Sequence, residues 1–219
     1  MKTTLRAIAA ATGFFALALQ FWLEIHIPRA PGLFKSTVNF FSYFTILANC
    51  AAALAMLVPL IARDRGAGRF LSQPSVRTAI AAYLIVVGIT YLMFLRYVGD
   101  DQGLERVADQ LMHYVTPVLF MIDWIAFVPK GRVPWTMIGT SLIPPLAYGI
   151  WTMVHGAVAN WYPYPFVNAP KLGHHGVLMN MAAFLGAFVA VALALVVVDR
   201  ILGSIQRRGI VETDEYGSR

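Results

Sequence analysis

Apolar residues along this chain fall in six long blocks, near 5–25, 38–62, 78–98, 113–129, 134–154 and 176–202, parted by short polar segments. A helix needs roughly 20 apolar residues to cross a bilayer core, and most of the blocks meet that length. The 113–129 block is the shortest. Helix is the expected element, because lipid offers a backbone no hydrogen-bond partner but itself. The pattern predicts an all-α integral membrane protein: a six-span bundle over 1–203 and a polar tail over 204–219. Lys2 and Arg6 ahead of the first block could open a secretory leader. Gln20, Trp22 and Glu24 do not make a small-residue cleavage site, so the block is read as a span.

Polar residues inside the blocks form stripes. At 100° per residue, Asn39, Ser42, Thr45 and Asn49 share an arc of about 120°, and His113, Thr116 and Asp123 one of about 80°. Ser141, Tyr148, Thr152 and His155 would share about 60° if their helix ran straight, which Pro144 and Pro145 oppose. Polar faces in a membrane bundle turn inward, so a polar interior is expected. Asp123 is the one acid deep in a block and must be paired or protonated. Asn49, at similar depth about 15 Å from its helix end, and Asn180 in the sixth block are its expected partners.

Composition agrees with the pattern. The chain is 58% hydrophobic and 13% charged, against about 25% charged in soluble domains. Its net charge is +6, and with six spans twelve Lys and Arg fall on the side of the termini and five on the other. The positive-inside rule then predicts that both termini are cytoplasmic. The basic charge is thereby expected to meet anionic headgroups, not nucleic acid. One expected outer loop is acidic (Asp100, Asp101, Glu105, Asp109). The other is aromatic, with Trp161, Tyr162, Tyr164 and Phe166 around Pro163 and Pro165. In this orientation the five histidines and Ser42 lie toward the outer face. A single cysteine, Cys50, excludes an intramolecular disulfide.

A hydroxyl and a histidine on different polar faces point to nucleophilic chemistry. A neutral imidazole takes the hydroxyl proton, and the resulting oxyanion needs hydrogen-bond donors. Asn39, Asn49 and Asn180 are candidate donors or supports, with Asp123 and His155. His113, His155, His174 and His175 lack compact metal-ligand spacing, so no metal is expected. No cofactor is expected either, and the four lysines lie outside the blocks, which argues against a retinal protein. Prolines within spans leave transport open as another class, without a visible inverted repeat.

Three motifs carry a family resemblance: Phe40-Phe41-Ser42-Tyr43-Phe44-Thr45-Ile46-Leu47-Ala48-Asn49, Met112-His113-Tyr114-Val115-Thr116-Pro117, and Trp161-Tyr162-Pro163-Tyr164-Pro165-Phe166. With them the chain resembles the androgen-induced-gene family of integral membrane hydrolases and its bacterial six-pass relatives. The resemblance implies hydrolysis of fatty acid esters of hydroxy fatty acids or similar lipid esters. It further implies Ser42 as nucleophile, where animal members carry Thr, and His113 as the essential histidine. Thr45 is the alternative nucleophile. The implied setting is a bacterial inner membrane, with a lipid substrate drawn from the bilayer. A non-catalytic lipid-binding or transport protein is the competing expectation.

Overall fold

The computed structural model describes residues 1–27, 32–97 and 102–217, with side chains through Arg208. Asp100, Asp101, Ser218 and Arg219 lie outside the described residues. The described residues are helical, with no strand among them. Ten helices follow in order: α1 Lys2–His26, α2 Leu33–Phe41, α3 Phe44–Ile61, α4 Gly66–Ser72, α5 Pro74–Thr90, α6 Gly103–Gln110, α7 Thr116–Phe127, α8 Thr136–Thr140, α9 Ile143–Ala159 and α10 Ala169–Gly217. A π turn at Tyr91–Leu95 extends α5, and another at Leu111–Val115 joins α6 to α7.

Among the described residues, five stretches are long and apolar enough to cross a membrane: Lys2–His26, Phe44–Ile61, Pro74–Leu95, Thr136–Ala159 and Ala169–Arg208. The block expected over 113–129 lies in the helical run from Gly103 to Phe127, whose first half carries Glu105 and Asp109. Helix α10 continues through Gly217, so the stretch expected as a tail is helical up to that residue.

Two blocks expected as straight helices are broken. The 38–62 block ends one helix at Phe41 and starts another at Phe44. Ser42 has φ −87° and ψ 1°, and Tyr43 is extended. The 134–154 block breaks at Ser141–Leu142. Helix α9 then opens on Ile143, Pro144 and Pro145, where proline is tolerated because first-turn N–H groups have no intrahelical partner. A third irregularity falls within α10, where Gly173 has φ 68° and ψ 161°. That backbone conformation is open to glycine at little cost.

Small residues bring α1 and α3 together. A Cβ placed on Gly13 would stand 3.1 Å from Ala53 Cβ, and Ala9, Ala10, Ala16, Ala48 and Ala52 are buried nearby. Close backbone approach through small side chains is the usual membrane-helix device, since lipid removes the hydrophobic drive between helices. Phe44 forms the aromatic centre. Its ring lies 5.8 Å from Tyr83 of α5, 5.1 Å from Tyr148 of α9 and 5.4 Å from Phe188 of α10, all edge-on. Such pairs add about 0.5–1.5 kcal/mol each beyond buried area.

Asp123 supplies a charged lock. Arg6 of α1 donates through Nε at 2.6 Å and through Nη2 at 3.1 Å, and Arg77 of α5 donates at 2.5 Å. Arg77 also reaches Ala55 O of α3 at 2.7 Å. The partners expected from depth are corrected: Asn49 donates instead to Thr45 O and Met112 O, and Asn180 to Phe166 O. Asparagine can only hydrogen-bond to a carboxylate, whereas two guanidinium groups also neutralise it. Both arginines had been counted with the surface charge of one side; they are buried.

Lys130, after α7, donates to Trp124 O and Val128 O, and its ammonium lies 3.9 Å from the Trp124 ring centroid. Burial pushes its pKa down from 10.5 to about 8, with Asp199 opposing.

Asp123→Asn should destabilise the protein by about 3–5 kcal/mol, because it strands two buried cations. The triple variant Arg6→Met, Asp123→Leu, Arg77→Met should melt closer to the unsubstituted protein. Thermal unfolding in detergent checks both, and a near-neutral Asp123→Asn would contradict the lock. Between about pH 8 and 10.5 the unfolded chain holds the Lys130 proton that the folded one releases, so stability should rise with pH there. Lys130→Met should lack that component of the slope, and equal slopes would contradict it.

Candidate active site

The break between α2 and α3 exposes backbone and hydroxyl groups that a continuous helix would have occupied. Ser42 N–H closes on Asn39 O at 3.0 Å, and its Oγ donates to Val38 O at 2.7 Å. Helix α9 meets this turn with one face. Tyr148 OH donates to Ser42 O at 2.9 Å, Trp151 Nε1 donates to Ser42 Oγ at 3.0 Å, and His155 Nδ1 stands 3.4 Å from the same Oγ. Positions 148, 151 and 155 follow the three- and four-residue spacing that puts side chains on one helical face. Trp151 and His155 stack nearly parallel, at 5.4 Å and 8°, and Trp161 of the aromatic loop meets the imidazole edge-on at 5.6 Å. Ser42 is fully buried, His155 is half-buried and Trp151 is exposed.

Thr45, the second residue of α3, begins another polar group. Its N–H donates to Tyr164 OH at 3.3 Å, and its Oγ1 lies 3.3 Å from the same oxygen. Burial pushes the Tyr164 phenol up, so it stays protonated and keeps a hydrogen to donate. Tyr148 and Thr152 lie alongside. These four residues line the polar end of a cavity of about 720 Å³ bounded by α3, α5, α9, α10 and the aromatic loop. The remaining walls include Val86, Met153, Phe166, Leu178, Met181 and Phe188.

His113 lies elsewhere. It belongs to the π turn between α6 and α7, and its Nδ1 contacts both Asp109 O at 3.0 Å and Asp109 Oδ1 at 2.9 Å. Its ring stacks on Tyr91 of the other π turn at 4.2 Å and 16°. π turns recur at functional positions, and a carboxylate on Nδ1 leaves Nε2 to accept a proton. Asn49 ties α3 to this segment through Met112 O. Asn39 Oδ1, Asn49 Oδ1 and Thr116 Oγ1 are buried without a hydrogen-bond partner.

Among the described contacts, then, Ser42 meets His155, while His113 meets Asp109; no hydrogen bond joins Ser42 to His113. The two stripes contact each other through Asn49 and the backbone of Met112. Asp123 belongs to the charged lock, and Asn180 holds the aromatic loop through Phe166 O at 2.8 Å. Sequence reasoning missed Trp151, Tyr164 and Asp109. The period of the α9 polar face already held Tyr148 and His155, and Trp151 lies one turn from each. No protein-family profile, curated protein or solved structure matches this chain. Any chemistry assigned to the site therefore rests on its geometry and on the motif resemblance.

Tyr162 packs the aromatic loop against α9 at Gly156, where a Cβ would come within 2.0 Å of its ring. Gly156→Ala should push the loop away from His155, cost about 1–3 kcal/mol by overpacking, and speed proteolysis around Trp161–Phe166. Unchanged melting and unchanged cleavage would contradict this packing.

Proposed function

We propose that this protein is an intramembrane hydrolase of lipid esters, with Ser42 as nucleophile and His155 as the base nearest to it. The observation that carries the reading is the Ser42 Oγ, set 3.4 Å from His155 Nδ1 and 3.0 Å from Trp151 Nε1. The chamber begins close by: Tyr148 and Thr45 line it, and Tyr148 also bonds Ser42 O. The motif resemblance supports the same chemistry and the same hydroxyl.

The steps follow from the donors and acceptors. With its own proton on Nε2, His155 accepts the Ser42 hydroxyl proton at Nδ1 as Oγ bonds to the ester carbonyl carbon. The carbonyl oxygen becomes an oxyanion, for which Trp151 N–H and the Tyr164 phenol are candidate donors. The tetrahedral intermediate expels the alcohol oxygen, which takes the proton from His155. Water then attacks the acyl-Ser42 ester with His155 as base, releasing the acid and restoring the hydroxyl.

The membrane setting belongs to the same proposal. The helical run Gly103–Phe127 supplies the fourth of six spans. Both termini lie on the basic cytoplasmic side, and the polar interior and the site open toward the outer leaflet of a bacterial inner membrane. A second reading, a lipid-binding protein without turnover, draws on one observation: Ser42 Oγ is buried and donates to its own helix at Val38 O, as ordinary membrane serines do.

An alkyl fluorophosphonate separates these readings. Labelling of the purified protein should vanish in Ser42→Ala and fall about 10²-fold or more in His155→Ala. It should change little in His113→Ala. Loss in His113→Ala with His155→Ala unaffected would move the base to the Asp109-backed imidazole. Loss in Thr45→Ala but not in Ser42→Ala would move the nucleophile into the chamber. Absence of labelling in folded protein would leave the lipid-binding reading.

A further inference from the structure

The chamber beside Ser42 has a chemical bias that the hydrolase reading leaves open. Among the described residues that line it there is no Asp, Glu, Lys or Arg; the imidazole of His174, at an exposed position, is its basic group. Its polar end is made of hydroxyls: Thr45, Tyr148, Thr152 and Tyr164. Thr152 Oγ1 is buried and completes no hydrogen bond of ordinary geometry, although Tyr148 lies beside it. That oxygen is closed off from the free space of the chamber. The long wall between α9 and α10 includes Leu146, Ile150, Val154 and Leu178, each 49–67% exposed. Such a seam of apolar side chains faces hydrocarbon when the helices sit in a bilayer.

We propose that this chamber takes one hydrocarbon chain of an uncharged lipid ester, of the monoacylglycerol type, entering sideways from the bilayer between α9 and α10. Its hydroxyl or ester oxygen lies at the end lined by Tyr148, Tyr164 and Thr45. A free fatty acid carboxylate or a phospholipid phosphate gains no cationic partner from these walls, and desolvating an unpaired anion costs several kcal/mol. The volume suits one chain with a small head, since cavities of 300–1,000 Å³ enclose ligands of that scale. That this ligand is also a substrate rests on the hydrolase reading; its occupancy of the chamber does not.

The test uses full-length Ser42→Ala protein in detergent, so that binding is read without turnover, and a monoacylglycerol bearing a diazirine in its chain. Cross-links should fall on α9 between Leu146 and Val154 and on α10 between Val177 and Phe188. Monooleoylglycerol should compete at least about tenfold better than oleate or phosphatidylglycerol, a difference of about 1.4 kcal/mol. Ala182→Trp fills the chamber from an exposed position and should cut cross-linking about tenfold without lowering the melting temperature. Labelling spread evenly over the outer faces of α1 and α10 would overturn the proposal, as would equal competition by oleate. So would cross-linking indifferent to Ala182→Trp in normally melting protein. Specific cross-linking in Ser42→Ala, with no hydrolysis of monooleoylglycerol by the unsubstituted protein, would keep the chamber and remove the hydrolase.

Discussion

Two guanidinium groups and one carboxylate share a space that water does not reach, and three helices are held by that arrangement. Arg6 brings α1, Arg77 brings α5, and Asp123 sits on α7 between them. Such a cluster adds little net stability over an apolar replacement, because each ion loses its hydration on burial. What it enforces is registry. Sliding any one helix by a turn leaves a buried charge without its partner, so the relative heights of α1, α5 and α7 are set together. Arg77, through Ala55 O, extends the constraint to α3. The helix that begins at the Ser42 break is thereby anchored at its far half.

The near half of the molecule is organised by interruption. Hydrocarbon tolerates non-helical backbone only where other protein groups satisfy it. At Ser42 the freed carbonyl finds the Tyr148 phenol, and the hydroxyl finds Val38 O, Trp151 and His155. The partners come from α9, which is itself free to approach because Ser141 and Leu142 break its own block ahead of Pro144 and Pro145. Two helix breaks therefore meet, and the polar groups they release satisfy each other. A site made this way is rigid where it borders the aromatic centre at Phe44, and open where Trp151 and Ile150 reach the surface.

Hydropathy made five long apolar helices legible, because 20 apolar residues in a row have few soluble uses. It could not show the break at Ser42, where Phe40, Phe41, Tyr43 and Phe44 keep the apolar signal high through the turn. Helical phase drawn through that break placed Ser42 on the face of Asn49, whereas the turn gives it to α9. Asp123 announced itself as a buried acid, but its partners were hidden among terminal and loop arginines that look like ordinary flanking charge. Pairing His113 with Ser42 rests on their shared outer position on polar faces and on the motif resemblance. Depth does not fix which way two helices face, and the carboxylate of Asp109, four residues earlier on the same helical run, holds His113 at its own end. His155 was visible as part of a periodic polar face, yet nothing in one sequence says which serine such a face will meet.

The account turns on one covalent bond. A high-resolution structure of the protein reacted with a long-chain alkyl fluorophosphonate reads it directly. The account predicts phosphorus bonded to Ser42 Oγ, His155 within hydrogen-bond reach, and the alkyl chain lying in the chamber between α9 and α10. Phosphorus on Thr45 or any other residue, or a chain lying outside that chamber, would contradict it.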